Sequence, residues 1–475
     1  MRPRTLLVLA AVVAALAAWV LLHERELPSS DERRRLARRV FRLEPDQVSA
    51  LTIEWRGRTV RLEREAAGVE DAAPAAGGWR LVEPFAGRAD GALVERLVGD
   101  LAGLEIVRRL EGAKRAEVGL EPPRGRLTFR GVGGEGTLEL GGEVPASPNV
   151  VVAVAGQGEP LVVARTLVTD LDREPGEWRA RELLAAGREE IERIRLVPRA
   201  GDEVVLARKG EAFVVERPYS DAADRDLVDP LLGDLTGLSA ERFLDAPLGA
   251  QAEAGLGAGP GRLELALRGR TEPWVLELGL ETPAAGTRWA RADGQAVEAR
   301  TGLAAALERA PGDWRSRSWS GFDSWRAERL RIEDGNGRLE LVRADGDWAR
   351  DGEKISYSDV GDLIFAITSA RAERVVPPAE AAAYPAAAPE LTVTLADAGG
   401  AEEVLTLNRP RAGEELVPAR AAGRGVVLLL PRRAVDELET RIAAVRASKP
   451  VAAPAAAPPA PPAGEATGAA PDPGD

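Results

Sequence analysis

Cysteine is absent from this sequence and histidine occurs once, as His23, so any chemistry falls to carboxylates, hydroxyls, lysines and aromatic rings. Those two counts remove disulfides, thiolate nucleophiles and lipoprotein acylation. They also remove histidine triads, His-rich zinc sites and imidazole proton shuttles from everything beyond His23. Four constellations remain. Asp221, Asp224, Asp226 and Asp229 crowd one helix start and suggest calcium, but the fixed ligand offsets, turn glycine and terminal glutamate of a calcium loop are missing. They read as helix capping and solvated charge. Gly255-Leu256-Gly257-Ala258-Gly259-Pro260-Gly261 looks like a phosphate cradle, yet it fails both phosphate-loop spacings and precedes a strand, so it reads as a loop. Ser356 and Ser358 near Lys354 offer a Ser–Lys pair placed just before a helix. Finally, two carboxylates ~5–10 Å apart on one cleft would suffice for a hydrolase.

Aromatic rings offer binding rather than catalysis. Trp178 and Trp314 stand at matching places in two repeats, which invites a sugar-stacking reading among ten tryptophans. Burying one tryptophan gives roughly 4–6 kcal/mol as an upper bound, which is ample reason for a core role instead. We therefore expect no catalytic, cofactor-binding or metal-binding residue. The net charge of −13, without a basic stripe, argues against nucleic acid.

The elements that would hold these residues recur. Ser49 to Trp55, Ile191 to Leu196 and Ala327 to Ile332 alternate apolar and polar residues as half-buried strands do. Each leads through a turn to a second alternating run: Thr59 to Glu63, Glu203 to Ala207, Arg338 to Val342. A third strand brings Trp79, Phe213 or Trp348. A helix follows, in which Asp90 to Leu101 aligns without a gap to Asp224 through Leu235, with Asp90 and Asp224 as N-caps. Gly361-Asp362-Leu363 repeats its signature, about seven residues closer to the preceding tryptophan. The second half of each unit is again strands: Arg126 to Arg130 with Thr137 to Leu140, Arg262 to Leu267 with Trp274 to Leu278, and Leu391 to Leu395 with Glu403 to Leu407. Two more strands and a short helix then follow. Units one and two close on Pro175-Gly176-Glu177-Trp178-Arg179 and Pro311-Gly312-Asp313-Trp314-Arg315, whereas unit three ends in an amphipathic helix, Arg433 to Val445. The period, near 135 residues, is long enough for each unit to own a core.

Residues 5–22 (TLLVLAAVVAALAAWVLL) carry no charge and would make a helix of roughly 27 Å, enough to span the hydrocarbon core. A cleaved signal peptide is the alternative, but its small-residue site at Ala15-Leu16-Ala17 lies too early. Arg2 and Arg4 favour a cytoplasmic N-terminus. The cluster Arg33-Arg34-Arg35 with Arg38 and Arg39 opposes it, and reads either as a solvated spacer or as a headgroup-touching helix. The expected layout is an α+β chain. It has a cytoplasmic end (1–4), a transmembrane anchor (5–22), a basic spacer (23–46), three tandem β-rich units (47–187, 188–320 and a divergent 321–447) and a Pro/Ala-rich tail (448–475) expected to be disordered.

Val40-Phe41-Arg42-Leu43, Val48 to Ile53, Gly78-Trp79-Arg80-Leu81 with Pro84, and Gly119-Leu120-Glu121-Pro122 carry a resemblance. Over most of residues 40–445 the chain resembles the bacterial family known as domain of unknown function 4340. The resemblance implies a membrane-anchored extracytoplasmic protein, encoded beside ABC-transporter components of the gliding-motility auxiliary type, with no catalytic residues to carry over. The function expected is a non-enzymatic accessory or scaffold at the outer face of the cytoplasmic membrane, with transporter permease or auxiliary subunits as partners. The alternatives are an envelope glycan-binding module and a carboxylate-pair hydrolase.

Overall fold

Alternation becomes pleated structure with one apolar face. The computed structural model describes residues 37–65, 78–132, 134–344, 346–386, 388–410 and 413–450. Strand β1 (Val48–Trp55) buries Val48, Leu51, Ile53 and Trp55. It turns at Arg56 and Gly57, whose φ of 51° and 76° suit the twist of a two-residue hairpin, into β2 (Arg58–Arg64). The meander continues through β3 (Trp79–Glu83) and the short β4 (Gly87–Arg88). Helix α1 (Gly91–Ala102) follows, and β5 (Ile106–Arg109) lands on the far edge. A second meander, β6 (Gly125–Gly131), β7 (Gly134–Glu143), β8 (Asn149–Val154) and β9 (Leu161–Ala164), runs back to β5 and ends in α2 (Thr166–Leu171). The nine strands lie in the order β4-β3-β2-β1-β6-β7-β8-β9-β5, with β1 and β6 antiparallel at the centre.

The same plan is built twice more. Module two comprises β10 (Ile191–Pro198), β11 (Val204–Lys209), β12 (Ala212–Arg217), β13 (Asp221–Ala222), α3 (Arg225–Thr236), β14 (Ala240–Phe243), α4 (Ala250–Gly257), β15 (Gly261–Leu267), β16 (Trp274–Glu281), β17 (Arg288–Ala292), β18 (Gln295–Ala299) and α5 (Leu303–Glu308). Module three comprises β19 (Arg329–Asp334), β20 (Gly337–Ala344), β21 (Asp347–Arg350), β22 (Glu353–Lys354), α6 (Tyr357–Ser369), β23 (Arg374–Val376), β24 (Leu391–Ala396), β25 (Glu402–Leu407), β26 (Val417–Ala421), β27 (Val427–Leu430) and α7 (Arg432–Ala447). Each forms a nine-stranded sheet in the corresponding order. The chain's contacts gather into two compact units. One runs up to Glu203 and includes Asp229–Glu308, and the other joins Val204–Val228 to the residues from Arg309 onward.

Each central helix docks on its sheet by one stripe. α1 buries Leu93, Val94, Leu97, Val98 and Leu101, and the Asp90 carboxylate accepts the Leu93 N–H at 3.0 Å. The expected strands and central helices are all present. Besides the two-residue strands β4, β13 and β22, two kinds of element were not expected. The far-edge strands β5, β14 and β23 are short; β5 buries no residue outright, so it carries no alternation to read. Helix α4 is a second surprise, because the glycine run expected to be a loop begins inside it. Gly255 lies under the Trp289 ring, and a Cβ at Gly259 would collide with the Leu278 carbonyl. Those glycines permit close packing of helix on sheet. The expected anchor, most of the basic spacer and the tail beyond Pro450 lie outside the described residues. No helix among the described residues is long and apolar enough to cross a membrane.

The two glycine environments make a paired test. Gly259→Ala, where backbone must move, should cost about 1–3 kcal/mol. Gly99→Ala, in the α1 interior with open space at the Cβ position, should gain about 0.5–1 kcal/mol. Urea unfolding midpoints of the two variants should shift in opposite directions.

Candidate functional site

An antiparallel sheet exposes unpaired backbone groups along both edges. Here the segments between modules pair with those edges. In the first linker, Trp178 O accepts the Asp90 N–H at 2.8 Å and Ala180 N–H donates to Arg88 O at 3.0 Å, on the β4 side of module one. Three residues later the same linker serves module two, where Ala240 N–H donates to Arg181 O at 2.8 Å and Leu183 N–H to Leu238 O at 3.0 Å. The second linker repeats this: Asp224 N–H to Trp314 O (2.8 Å), Ser316 N–H to Ala222 O (2.9 Å), Ala372 N–H to Arg317 O (2.7 Å) and Trp319 N–H to Ala370 O (2.9 Å). Each linker is a two-sided bridging strand. The chain enters module one in the same manner, Val40 N–H donating to Leu104 O at 2.8 Å.

Side chains lock these strands. Trp178 and Trp314 are fully buried, and the arginine after each is buried too. The Arg179 guanidinium lies 3.7 Å from the centre of the Phe85 ring and 4.9 Å from that of Phe243, and it donates to the Asp245 carboxylate at 2.7 Å. Arg315 lies 3.5 Å from the centre of the Tyr219 ring and donates to the carbonyls of Pro311 (2.7 Å) and Tyr219 (2.9 Å). Burial pulls the Arg315 guanidinium below its ordinary pKa, with Tyr219 and Asp221 opposing. Beside it Arg424 forms a bidentate pair with Asp221 (2.7 and 2.9 Å) and also donates to Ser316 O and Ser318 O, both at 2.8 Å.

Module three lacks both halves of this device. The seven residues missing between Trp348 and Gly361 shorten the β21–β22 turn and the helix start, and they take away the ring that Phe85 and Tyr219 supply elsewhere. No Trp-Arg closing motif follows either. Instead Arg350, at the end of β21, donates to the carbonyls of Val445 (3.0 Å), Arg446 (2.9 Å) and Ser448 (2.9 Å) and so caps α7.

The residues singled out from sequence disperse. Asp224 accepts the Asp226 N–H at 3.0 Å at the start of α3, and Asp226 pairs with Arg371 at 2.9 Å, as capping and surface charge predict. Asp221 corrects that reading, because its side chain has no exposed surface and it is committed to Arg424. Among the described residues no group of acids could hold a metal ion. Lys354 pairs with Asp347 at 2.7 Å, while Ser356 caps α6 by accepting the Asp359 N–H. Asp100 and Asp170 lie close enough for one charge to act on the other. Burial, and then Asp170, raises the Asp100 pKa, but Asp170 is itself held by Arg96 (2.8 Å) and Arg173 (3.0 Å). Of the nine described tryptophans eight are buried, and Trp325 alone is 75% exposed.

A groove of about 570 Å³ runs beside the first linker, lined by Trp79, Arg80, Arg88, Arg181, Arg268 and Arg270, among others. Its lining contains acids and arginines but no hydroxyl, amine or imidazole side chain. Arg270 is bound to Asp293 (3.0 and 2.9 Å) and Arg88 to the Glu182 carbonyl (3.1 Å). The arrangement joins modules. Nothing in the closing motif itself marks Arg179 and Arg315 as joint residues, because the tryptophan beside each carries the stronger signal. The signal was Phe85 and Tyr219 at matching positions one period apart.

A family profile described as "Domain of unknown function (DUF4340)" matches residues 79–213 and again 214–389. The first match runs from Trp79 to its counterpart Phe213, one full period taken out of phase with the sheets. No curated protein and no solved structure matches.

Arg424→Met should cost about 3–5 kcal/mol by stranding the buried Asp221 charge, whereas Asp221→Leu with Arg424→Met should recover most of that loss in urea unfolding. Asp100 gives the opposite kind of test. A carboxyl whose folded pKa is raised penalises folding once it is ionised. The penalty grows as pH rises from the ordinary carboxylate value through the folded pKa. Asp100→Asn should therefore raise the melting temperature at pH 7, and the gain should vanish as the pH falls below the ordinary aspartate range.

Proposed function

This chain belongs to the family described as Domain of unknown function (DUF4340), and from that footing we propose that it is a non-enzymatic scaffold that holds tandem modules outside the cytoplasmic membrane. The observation carrying the proposal is the fate of the repeated polar and aromatic residues. Trp178, Arg179, Trp314 and Arg315 are all consumed in fastening one module to the next. A chain that invests its buried arginines in joints is built to keep modules in register for something else to grip. Residues 5–22 supply the anchor in this reading, and the family resemblance supplies the partner, a permease or auxiliary subunit of an ABC-type transporter.

A glycan-binding reading would rest on Trp325, the one described tryptophan with an open face. A carboxylate-pair hydrolase would rest on Asp100 and Asp170, but the Asp170 carboxylate is already engaged by Arg96 and Arg173.

Purification of the full-length chain in mild detergent tests the scaffold reading. Permease or ATPase subunits should co-elute with it, and Arg179→Ala with Arg315→Ala should lower their yield while leaving each module's secondary structure intact. Recovery of the chain free of any transporter subunit would overturn the assignment.

A further inference from the structure

Module one carries a pair of charges that module two does without. Arg80 on β3 and Arg88 on β4 are direct cross-strand partners, and both are exposed. Like charges set opposite each other on a sheet destabilise it. The counterparts of this pair are Val214 and Ala222 in module two, and Ala349 opposite Lys354 in module three. The fold itself does not call for two arginines here. The first linker adds a third, because the Ala180 N–H bonded to Arg88 O brings Arg181 alongside. The β15–β16 turn of module two adds Arg268 and Arg270. Arg268 stands where module one has Val132, since the N–H of each bonds to the last carbonyl of the preceding 3-10 turn, Glu190 or Gln47. All five arginines line the groove of about 570 Å³ beside the first linker. Five acids line it too, and three are already engaged. Arg270 holds Asp293, the Asp90 carboxylate caps α1, and that of Glu190 accepts the Gly187 N–H at 2.6 Å. Glu65 and Glu182 are left. Against them, the Arg80 and Arg181 guanidiniums have no hydrogen bond, ion pair or ring contact among the described residues, and Arg88 donates only to a neutral carbonyl.

We propose that this groove binds the phosphate group of a small solute. One planar guanidinium fork satisfies a carboxylate, whereas a phosphate takes donors from several directions. Here the donors come from three separate segments: the β3–β4 pair, the linker and the β15–β16 turn. The groove is of the size usual for small-molecule sites. Its lining has no hydroxyl or amide side chain, so recognition falls to charge. None of the large exposed apolar side chains among the described residues lies in that lining. Nothing beside the arginines would hold acyl chains, which favours a free phosphorylated solute over a lipid headgroup.

The test is isothermal titration of the full-length chain in dodecyl maltoside with inorganic pyrophosphate, at fixed ionic strength set by chloride. Saturable binding is expected. Arg80→Val with Arg88→Ala gives module one the pair that module two has, and should weaken binding about tenfold, as should Arg181→Gln. Arg130→Gln, on an exposed arginine outside the groove, should leave affinity unchanged. Glu182→Gln should tighten binding several-fold. Without pyrophosphate, the Arg80→Val, Arg88→Ala chain should unfold at the parent's urea concentration or a higher one, so that lost binding is separated from lost folding. Absence of saturable binding, unchanged affinity in that double variant, its earlier unfolding, equal weakening by Arg130→Gln, or displacement of pyrophosphate by micelles carrying phosphatidylglycerol would each overturn the proposal.

Discussion

A sheet of nine antiparallel strands cannot be left with bare edges in water beside identical sheets, since unpaired backbone at an edge is a template for any other strand. The rest of this structure follows from how that constraint is met. Six residues between consecutive modules satisfy donors and acceptors of two sheets at once. They can do so only if they are held extended, and the tryptophan at one end, sunk in the preceding core, fixes them there. The helix N-terminus benefits as well. In modules one and two the N–H at the head of the central helix, on Asp90 and Asp224, finds its acceptor in the tryptophan carbonyl.

Arginine, and not lysine, suits the next position. A planar, weakly hydrated guanidinium stacks on a ring and still donates in its own plane, which is the geometry of Arg179 between Phe85 and Phe243 and of Arg315 on Tyr219. The two joints balance the buried charge differently. The first offers a half-exposed carboxylate, Asp245. The second offers only carbonyls to Arg315 and places its buried carboxylate, Asp221, on Arg424. A similar β-turn frame thus hosts two electrostatic solutions.

Much of this was legible from sequence because period-two alternation and a capped, periodic helix are local properties. β1, β10 and β19, the turns after them, and the caps Asp90 and Asp224 fall where the pattern puts them. The far-edge strands were not legible, because in a strand as short as Ile106–Arg109 only Ile106 touches the core, which leaves no alternation to read. The role of Arg179 and Arg315 was hidden for a different reason. An arginine in a surface-like motif is ordinarily solvated, and only the fold brings Phe85, Phe243 and Tyr219 against it. Asp221 misled similarly, since its partner Arg424 lies 203 residues away in sequence. The shorter third repeat was visible as a gap, but its meaning required knowing that the deleted turn carries the ring.

The bridging linkers also decide how the chain behaves under tension. A pull transmitted through residues 178–183 runs along a strand whose hydrogen bonds lie across the line of force on both sides, so they are loaded together in shear instead of opening one by one. The Trp178 side chain adds a plug that must leave a packed core before any slack appears. Rupture of a joint would therefore have to break these bonds and withdraw the tryptophan in one cooperative step.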